Sequence, residues 1–211
     1  MAEEVFRYKK NGVESFLSIF QIEDQKIIEL IDKCVAKMYE LDVLVEKPEI
    51  KIMGRTCNQQ RNICNFSDFS EGYKYSGQIA KSTPLPKCFK KLLKYINELF
   101  DSEFNSILVN EYKGGSDCIG RHSDNEKELD SSAGVIALSI GESRKFRIRK
   151  IGMDSDEEGK KHIPPVLFEH ETQDYEIMQM GGNFQKQLTH EIPAQKKLTG
   201  TRISFTFRKF V

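Results

Sequence analysis

The stretch Thr201-Arg202-Ile203-Ser204-Phe205-Thr206-Phe207-Arg208 alternates two kinds of side chain. In a strand, successive side chains point to opposite faces, so Ile203, Phe205 and Phe207 share one face and Arg202, Ser204, Thr206 and Arg208 the other. The apolar face asks for a core. The polar face is unusual, because two guanidinium groups directed into a barrel are costly to desolvate unless an anion meets them. A dicarboxylate would satisfy both; a strand with one solvated face is the plainer alternative.

Upstream of this strand, from Asp101 on, short runs of β-branched and aromatic residues recur between Gly, Ser, Asp and Asn: 106–112, 135–140, 144–151, 166–170 and 175–180. Many short strands without intervening helices predict an antiparallel sandwich or barrel. The charged stretch Met153 to Lys161 reads as a solvated hairpin loop. Two amphipathic helices are expected outside the sheets. One spans about 22–41, with Ile27, Ile28, Ile31, Val35, Met38 and Leu41 at helical spacing; the other spans about 87–100 behind Pro84-Leu85-Pro86. Residues 46–86 between them, rich in Asn, Gln, Ser, Gly and Tyr, read as a poor core and a surface lid. The expected organisation is a helical extension (1–45), a substrate lid (46–86) and a β catalytic core (87–211) within one structural domain, mainly β with flanking helices (α+β).

The 211 residues suffice for one substantial core, and 32 Lys+Arg balance 32 Asp+Glu, so no global field draws the chain to a polyanion. Any nucleic acid must be held by a local patch. The start lacks a signal-peptide core, and the longest uncharged apolar run, Gly134 to Ile140, falls far short of the ~20 residues a membrane helix needs. The expectation is an intracellular protein, cytoplasmic or nuclear, with no membrane partner. Five cysteines without a CxxC pair read as free thiols.

Four histidines make placement informative. His122 and Asp124 form a His-x-Asp pair, and His190 follows 66 residues after Asp124, at a strand end. Two histidines and one carboxylate leave open positions on a metal, as a non-haem Fe(II) oxygenase needs for a co-substrate and dioxygen. The pair alone also arises by chance in surface loops. His162 and His170 read as ordinary surface residues. Asn110 and Tyr112 alternate onto one face just before the His-x-Asp loop, as hydrogen-bond partners of a co-substrate or as satisfied core polar groups. Lys145, Arg147 and Arg149 share one strand face opposite Phe146 and Ile148, a local basic track or simply a solvated face, which Lys186 and Lys196-Lys197 could extend.

Asn110-x-Tyr112, His122-x-Asp124, His190 and Arg202 with Arg208 together resemble the AlkB family of Fe(II)- and 2-oxoglutarate-dependent dioxygenases. Tyr73-Lys74-Tyr75-Ser76 is similar to that family's substrate lid, Phe104-Asn105-Ser106 also matches, and 178–186 is similar to AlkB domains encoded by plant RNA viruses. The resemblance covers roughly residues 50 to 210. It implies a double-stranded β-helix, or jelly roll, with a nucleotide-recognition lid.

By the same resemblance, His122, Asp124 and His190 are the expected catalytic iron ligands. Arg202 and Arg208 would bind the two carboxylates of 2-oxoglutarate, helped by Asn110, Tyr112 and Thr206. Tyr75 would face a flipped base with Tyr73 and Ser76 beside it, and Asn125 and Glu126 stand where relatives touch the base. Asn125 departs from the Asp common in duplex-repair members. Ile52-Met53-Gly54, upstream of Arg61, resembles the finger whose aromatic wedge fills the gap left by a flipped base; Met53 stacks less well than an aromatic ring, which leans the expectation toward single-stranded DNA or RNA, or a damaged duplex that already opens easily. Met53 as an ordinary lid-strand residue is the alternative. The implied activity is oxidative demethylation of N-alkylated bases in DNA or RNA by a monomer, with Fe(II), 2-oxoglutarate and O2. An AlkB-like hydroxylase or demethylase of a protein or other substrate is the rival reading.

Overall fold

The computed structural model describes residues 2–52, 54–75 and 78–211, with backbone alone for residues 52, 73–75 and 78–80. The chain opens with an antiparallel hairpin, β1 (Glu3–Lys10) and β2 (Val13–Gln21), then helix α1 (Gln25–Glu40). Strands β3 (Glu49–Ile52), β4 (Arg55–Asn58), β5 (Asn62–Ser67), β6 (Gly72–Tyr75) and β7 (Gln78–Thr83) precede helix α2 (Lys87–Phe100). Then come β8 (Ser106–Tyr112), β9 (Ile119–His122), β10 (Val135–Gly141), β11 (Lys145–Lys150), β12 (Asp154–Ser155), β13 (Lys161–His162) and β14 (Phe168–Glu171). The chain ends through β15 (Glu176–Gly182), the single turn α3 (Phe184–Gln187), β16 (Leu188–Ile192) and β17 (Arg202–Arg208).

A nine-stranded sheet runs β1-β2-β15-β10-β17-β8-β5-β7-β6, and a four-stranded sheet runs β14-β11-β16-β9. Apart from a short parallel contact between β5 and β7, the pairs are antiparallel. Strand alternation divides the large sheet into two packed faces. Ile203, Phe205 and Phe207 of β17, with Ile136, Leu138 and Ile140 of β10, meet α1 and α2 through Ile31, Met38, Phe89, Leu92 and Ile96. On the other face, Tyr112, Val135, Ala137, Met178 and Met180 meet Ile119, Phe146, Ile148, Leu188 and Ile192 of the small sheet. These two facing sheets are the expected jelly roll.

Helix α1 begins at Asp24, whose carboxylate accepts the Lys26 amide at 2.9 Å, and α2 ends at Asp101 in the left-handed conformation (φ 46°). The sequence reading places both helices within a few residues of their observed ends, and the 153–161 loop is the turn between the exposed β12 and β13. Three features differ from expectation. Residues 3–21, in the expected helical extension, form two strands of the large sheet, β1 pairing with β2 and β2 with β15. Within the expected lid, β5 is buried along its whole length, with Phe66 stacked on Phe89 at 4.2 Å. Asparagine-rich β5 stays inside because Asn62 and Asn65 find partners in Glu111, Ser106 and Ser82. The third difference is α3, a turn between strands where none was expected.

Among the described residues no helix is long and apolar enough to cross a membrane. Phe89 joins the helix layer to both β5 and β17, its ring lying 5.5 Å from that of Phe205. Phe89→Ala is expected to cost about 3 to 5 kcal/mol, the usual range for emptying a buried aromatic site. The midpoint and slope of urea unfolding check this; a loss under ~1 kcal/mol would mean the core closes over the gap.

Candidate iron and dicarboxylate site

The two histidines come from neighbouring strands of the small sheet. β9 and β16 pair antiparallel with His122 directly opposite His190, and the two rings lie 4.2 Å apart. Asp124 follows β9 by two residues. One potential ligand atom from each of His122, Asp124 and His190 lies within 4.8 Å of the others, and all three side chains are largely buried.

Supporting contacts fix each group. The Nδ1 of His122 faces the Gly120 carbonyl at 2.9 Å, which places its proton there and leaves Nε2 as the ligand atom. The Asp124 amide donates to Oε1 of Gln185 at 2.8 Å. Gln185 reaches this position from α3, which follows Gly181 and Gly182. A Cβ at Gly181 would strike the Phe16 ring, and Gly182 takes a left-handed φ of 65°. His190 is enclosed by the rings of Phe146 and Phe184.

Electrostatics prepare these groups as ligands. Burial opposes the charge on Asp124, but Arg208 and the two histidines outweigh it and hold the carboxyl well below its usual range. Burial, and then the charge of His122, push His190 down to about 3. Burial also lowers His122. At neutral pH the cluster therefore offers one carboxylate and two neutral imidazoles, the protonation states that a divalent metal requires. Oδ1 of Asp124 is buried and meets no hydrogen-bond partner among the described residues. A cation between the three groups would satisfy it, so the donor set fits Fe(II).

The cavity extends from this cluster along the polar face of β17, where Arg202, Ser204, Thr206 and Arg208 line it together with Asn110 and Tyr112. Nη2 of Arg208 lies 2.8 Å from Oδ2 of Asp124. Arg202, at the other end of the strand, is 2 % exposed. Its Nη2 donates to Ser139 Oγ at 2.8 Å, its guanidinium lies 5.4 Å from the Tyr112 ring centre, and its Nε meets no hydrogen-bond partner among the described residues. No carboxylate pairs with it among the described residues. A buried guanidinium in that state is costly to keep desolvated, and it could receive the carboxylate of a ligand in this cavity.

Arg61 is drawn into the same cavity, its Nε donating to Asn110 Oδ1 at 2.6 Å. The bond fixes Oδ1 of the Asn110 amide as the acceptor facing Arg61. Asn125 is exposed and Glu126 half-buried just beyond Asp124. The backbone of Tyr73 and Tyr75 lies in β6, whereas Met53 and Ser76 lie outside the described residues.

Lys145, Arg147 and Arg149 do share a face of β11, but that face is not a free basic track. Lys145 and Arg147 both contact Glu169 at 2.6 Å, and Arg149 contacts Glu191 at 3.3 Å. Three cations facing two carboxylates leave little net charge for phosphates. The partners sit on β14 and β16, which only the sheet pairing brings alongside. Lys186, Lys196 and Lys197 are exposed.

Arg144 escaped the sequence reading altogether. It is fully buried, its guanidinium carbon lies over the Tyr112 ring 5.6 Å from the ring centre, and it donates to the carbonyls of Gly114, Asp117 and Pro193. It thereby ties the loop before β9 to the chain just beyond β16. Its only sequence signal was a charge at the start of an otherwise alternating strand.

Two outcomes follow from this geometry. His190→Ala or Asp124→Ala should abolish tight Fe(II) binding while circular dichroism stays native, since these side chains serve a ligand more than packing. Arg202→Met should weaken 2-oxoglutarate binding roughly ten- to a hundredfold, as expected for a charge-assisted, desolvated contact. Calorimetry with the iron-loaded protein measures it, and unchanged affinity would place the dicarboxylate elsewhere.

The description "2OG-Fe(II) oxygenase superfamily" belongs to a family model that matches residues 15–208. The chain is similar to "DNA oxidative demethylase ALKBH2" of Arabidopsis thaliana (29% identity over 181 residues, 77% of this chain and 57% of that protein) and of Homo sapiens (25% over 163 residues, 77% and 61%). It thus spans about three-fifths of the length of these curated relatives. Among solved structures, "The structure of OsALKBH1" superposes with a TM-score of 0.53 at 15% identity, covering 96% of this chain and 100% of that one, a likeness of fold. With the family match running from β2 to the last residue of β17, the chain belongs to the 2OG-Fe(II) oxygenase superfamily, as an AlkB-like member.

Proposed function

We propose that this chain, as a monomer inside the cell, removes small alkyl groups from nitrogen atoms of bases in DNA or RNA, consuming 2-oxoglutarate and dioxygen at Fe(II). The observation that carries this reading is the single cavity in which His122, Asp124 and His190 meet Arg202 and Arg208. The ALKBH2 relatives, named as DNA oxidative demethylases, support a nucleic-acid substrate.

His122, Asp124 and His190 would hold the iron, and Arg202 and Arg208 would bind the co-substrate carboxylates with Thr206, Asn110 and Tyr112. When bound with dioxygen, the iron centre supplies the oxidising power that converts 2-oxoglutarate to succinate and carbon dioxide and places one oxygen atom on the substrate's N-methyl carbon. The resulting N–CH2OH group then breaks its C–N bond, releasing formaldehyde and returning the proton to the base nitrogen. The protein contributes placement and dryness. Leu108, Ile119, Ala137, Met178, Met180 and Ile192 exclude water around the polar groups, which strengthens every charge interaction there. By the resemblance, Tyr73, Tyr75, Ser76 and Met53 would contact the base, with Arg61 in the cavity and Asn125 and Glu126 just beyond Asp124. Because the β11 cations are largely neutralised by Glu169 and Glu191, they would give only weak, salt-sensitive attraction to phosphates.

Defined N-methylated oligonucleotides, single-stranded and duplex, DNA and RNA, test the reading. Equal yields of formaldehyde and succinate are expected from at least one of them, and none from an Asp124→Ala variant. Tyr75→Ala should reduce demethylation while sparing the slow decarboxylation of 2-oxoglutarate without substrate, since stacking on an aromatic ring is worth ~1 to 3 kcal/mol per base. If wild type turns over no oligonucleotide yet consumes 2-oxoglutarate, the nucleic-acid reading fails.

A further inference from the structure

The hairpin β3–β4 follows Lys47 directly, and Lys47 is unusual twice over. Its backbone takes a φ of 39°, in the left-handed region that a lysine seldom occupies and a glycine would occupy without strain. Its side chain reaches across to the loop before β9, where Nζ contacts Oδ1 of Asp117 at 2.7 Å. Asp117 is buried, and its second oxygen accepts the Lys113 amide at 2.9 Å.

The same residue joins the iron loop to the rest of the site. The Asp117 carbonyl accepts from Arg144 at 2.5 Å, and Arg144 also reaches the carbonyl of Pro193, three residues beyond His190. A continuous polar route therefore runs from the hairpin through Lys47, Asp117 and Arg144 to both strands that carry the iron histidines. Among the described residues, the hairpin's other hydrogen bonds to its surroundings cluster at its base. The Lys47 amide donates to Asn62 Oδ1, the Gln59 amide to the Pro48 carbonyl, and the Cys118 amide to the Gln60 carbonyl. Of these, only the Cys118 bond and the Lys47–Asp117 pair reach the iron loop.

We propose that Lys47 is a positioning residue: its pair with Asp117 latches the β3–β4 hairpin to the iron loop, so that a base engaged from the hairpin side is presented to the iron cluster. The inference rests on the demethylase reading for its consequence and on geometry for its existence. Strain at Lys47 is retained because a glycine there, though easier on the backbone, would lack the ammonium that closes the latch. An ordinary stabilising contact makes the opposite demand, since it would have no reason to be placed on a strained residue.

Lys47→Gly and Asp117→Asn are the test pair, with Lys47→Arg as the conservative control. In Lys47→Gly, amide exchange across 49–58 should quicken relative to wild type, as expected when a locally tethered hairpin opens more often. Formaldehyde released per succinate formed should fall about fivefold, the scale of a half-exposed ion pair, while succinate formation without oligonucleotide stays at the wild-type rate. Asp117→Asn, which keeps an oxygen for the Lys113 amide, should give the same uncoupling, and the double variant no more than either single one. Lys47→Arg should restore the ratio. Equal exchange in Lys47→Gly and wild type would overturn the latch whatever the substrate proves to be. Faster exchange with an unchanged ratio would overturn its positioning role. A wild type that yields no formaldehyde at all defeats the demethylase reading and the positioning role with it, leaving exchange to decide whether the latch exists.

Discussion

The direct pairing of His122 with His190 across β9 and β16 is the constraint on which the site depends. Side chains alternate along a strand, so a slip of one residue would turn one imidazole away from the other and leave Asp124 facing a single histidine. The register is held from outside the pair. β16 is also bonded to β11 on its far side, with Ile148 opposite His190, and Arg144, one residue before β11, holds the carbonyls of Gly114, Asp117 and Pro193. The metal-binding geometry is thus set by backbone pairing first and by side-chain choice second.

The charges in the cavity have a second logic. Three of the buried arginines, Arg144, Arg202 and Arg208, lie near Tyr112 or Asp124, and each is treated differently. Arg208 faces Asp124, Arg144 is satisfied by backbone carbonyls, and Arg202 has a hydroxyl and a ring but no anion. A buried cation without a counter-ion is expensive, and that expense is returned only when a ligand brings negative charge. The cavity is therefore built to be more comfortable filled than empty at its Arg202 end.

Much of this was legible in the sequence because it is periodic. The alternation of β17 and the stripes of α1 and α2 obey the repeats of 2 and 3.6 that bury one face, and the structure places them accordingly. The small strands were harder. β9 and β16 are only four and five residues long, and a histidine takes an inward position in each, so few apolar residues are left to mark the alternation. β5 was hidden by its asparagines, which read as loop until Glu111, Ser106 and Ser82 supply partners from distant positions. The basic face of β11 was read correctly as a face, but the acids opposite it come from strands 22 to 42 residues away. Lys47 left no trace at all, because a backbone angle is not written in residue type.

The N-terminal hairpin closes one side of the large sheet with a strand unlike its neighbours. β1 is Glu-Glu-Val-Phe-Arg-Tyr-Lys-Lys, with Arg7 and Lys9 both paired to Glu14 of β2. Behind it, β15 carries Met178 and Met180, and β2 covers its free backbone edge from Gln21 to Ser15. Stripped of residues 3–21, β15 would present unpaired amides and carbonyls beside apolar side chains, the profile of a strand that recruits a second copy of itself. With β1 in place, that side of the large sheet instead ends in a strand whose charges are set where another sheet would have to dock, an arrangement that disfavours edge-to-edge pairing.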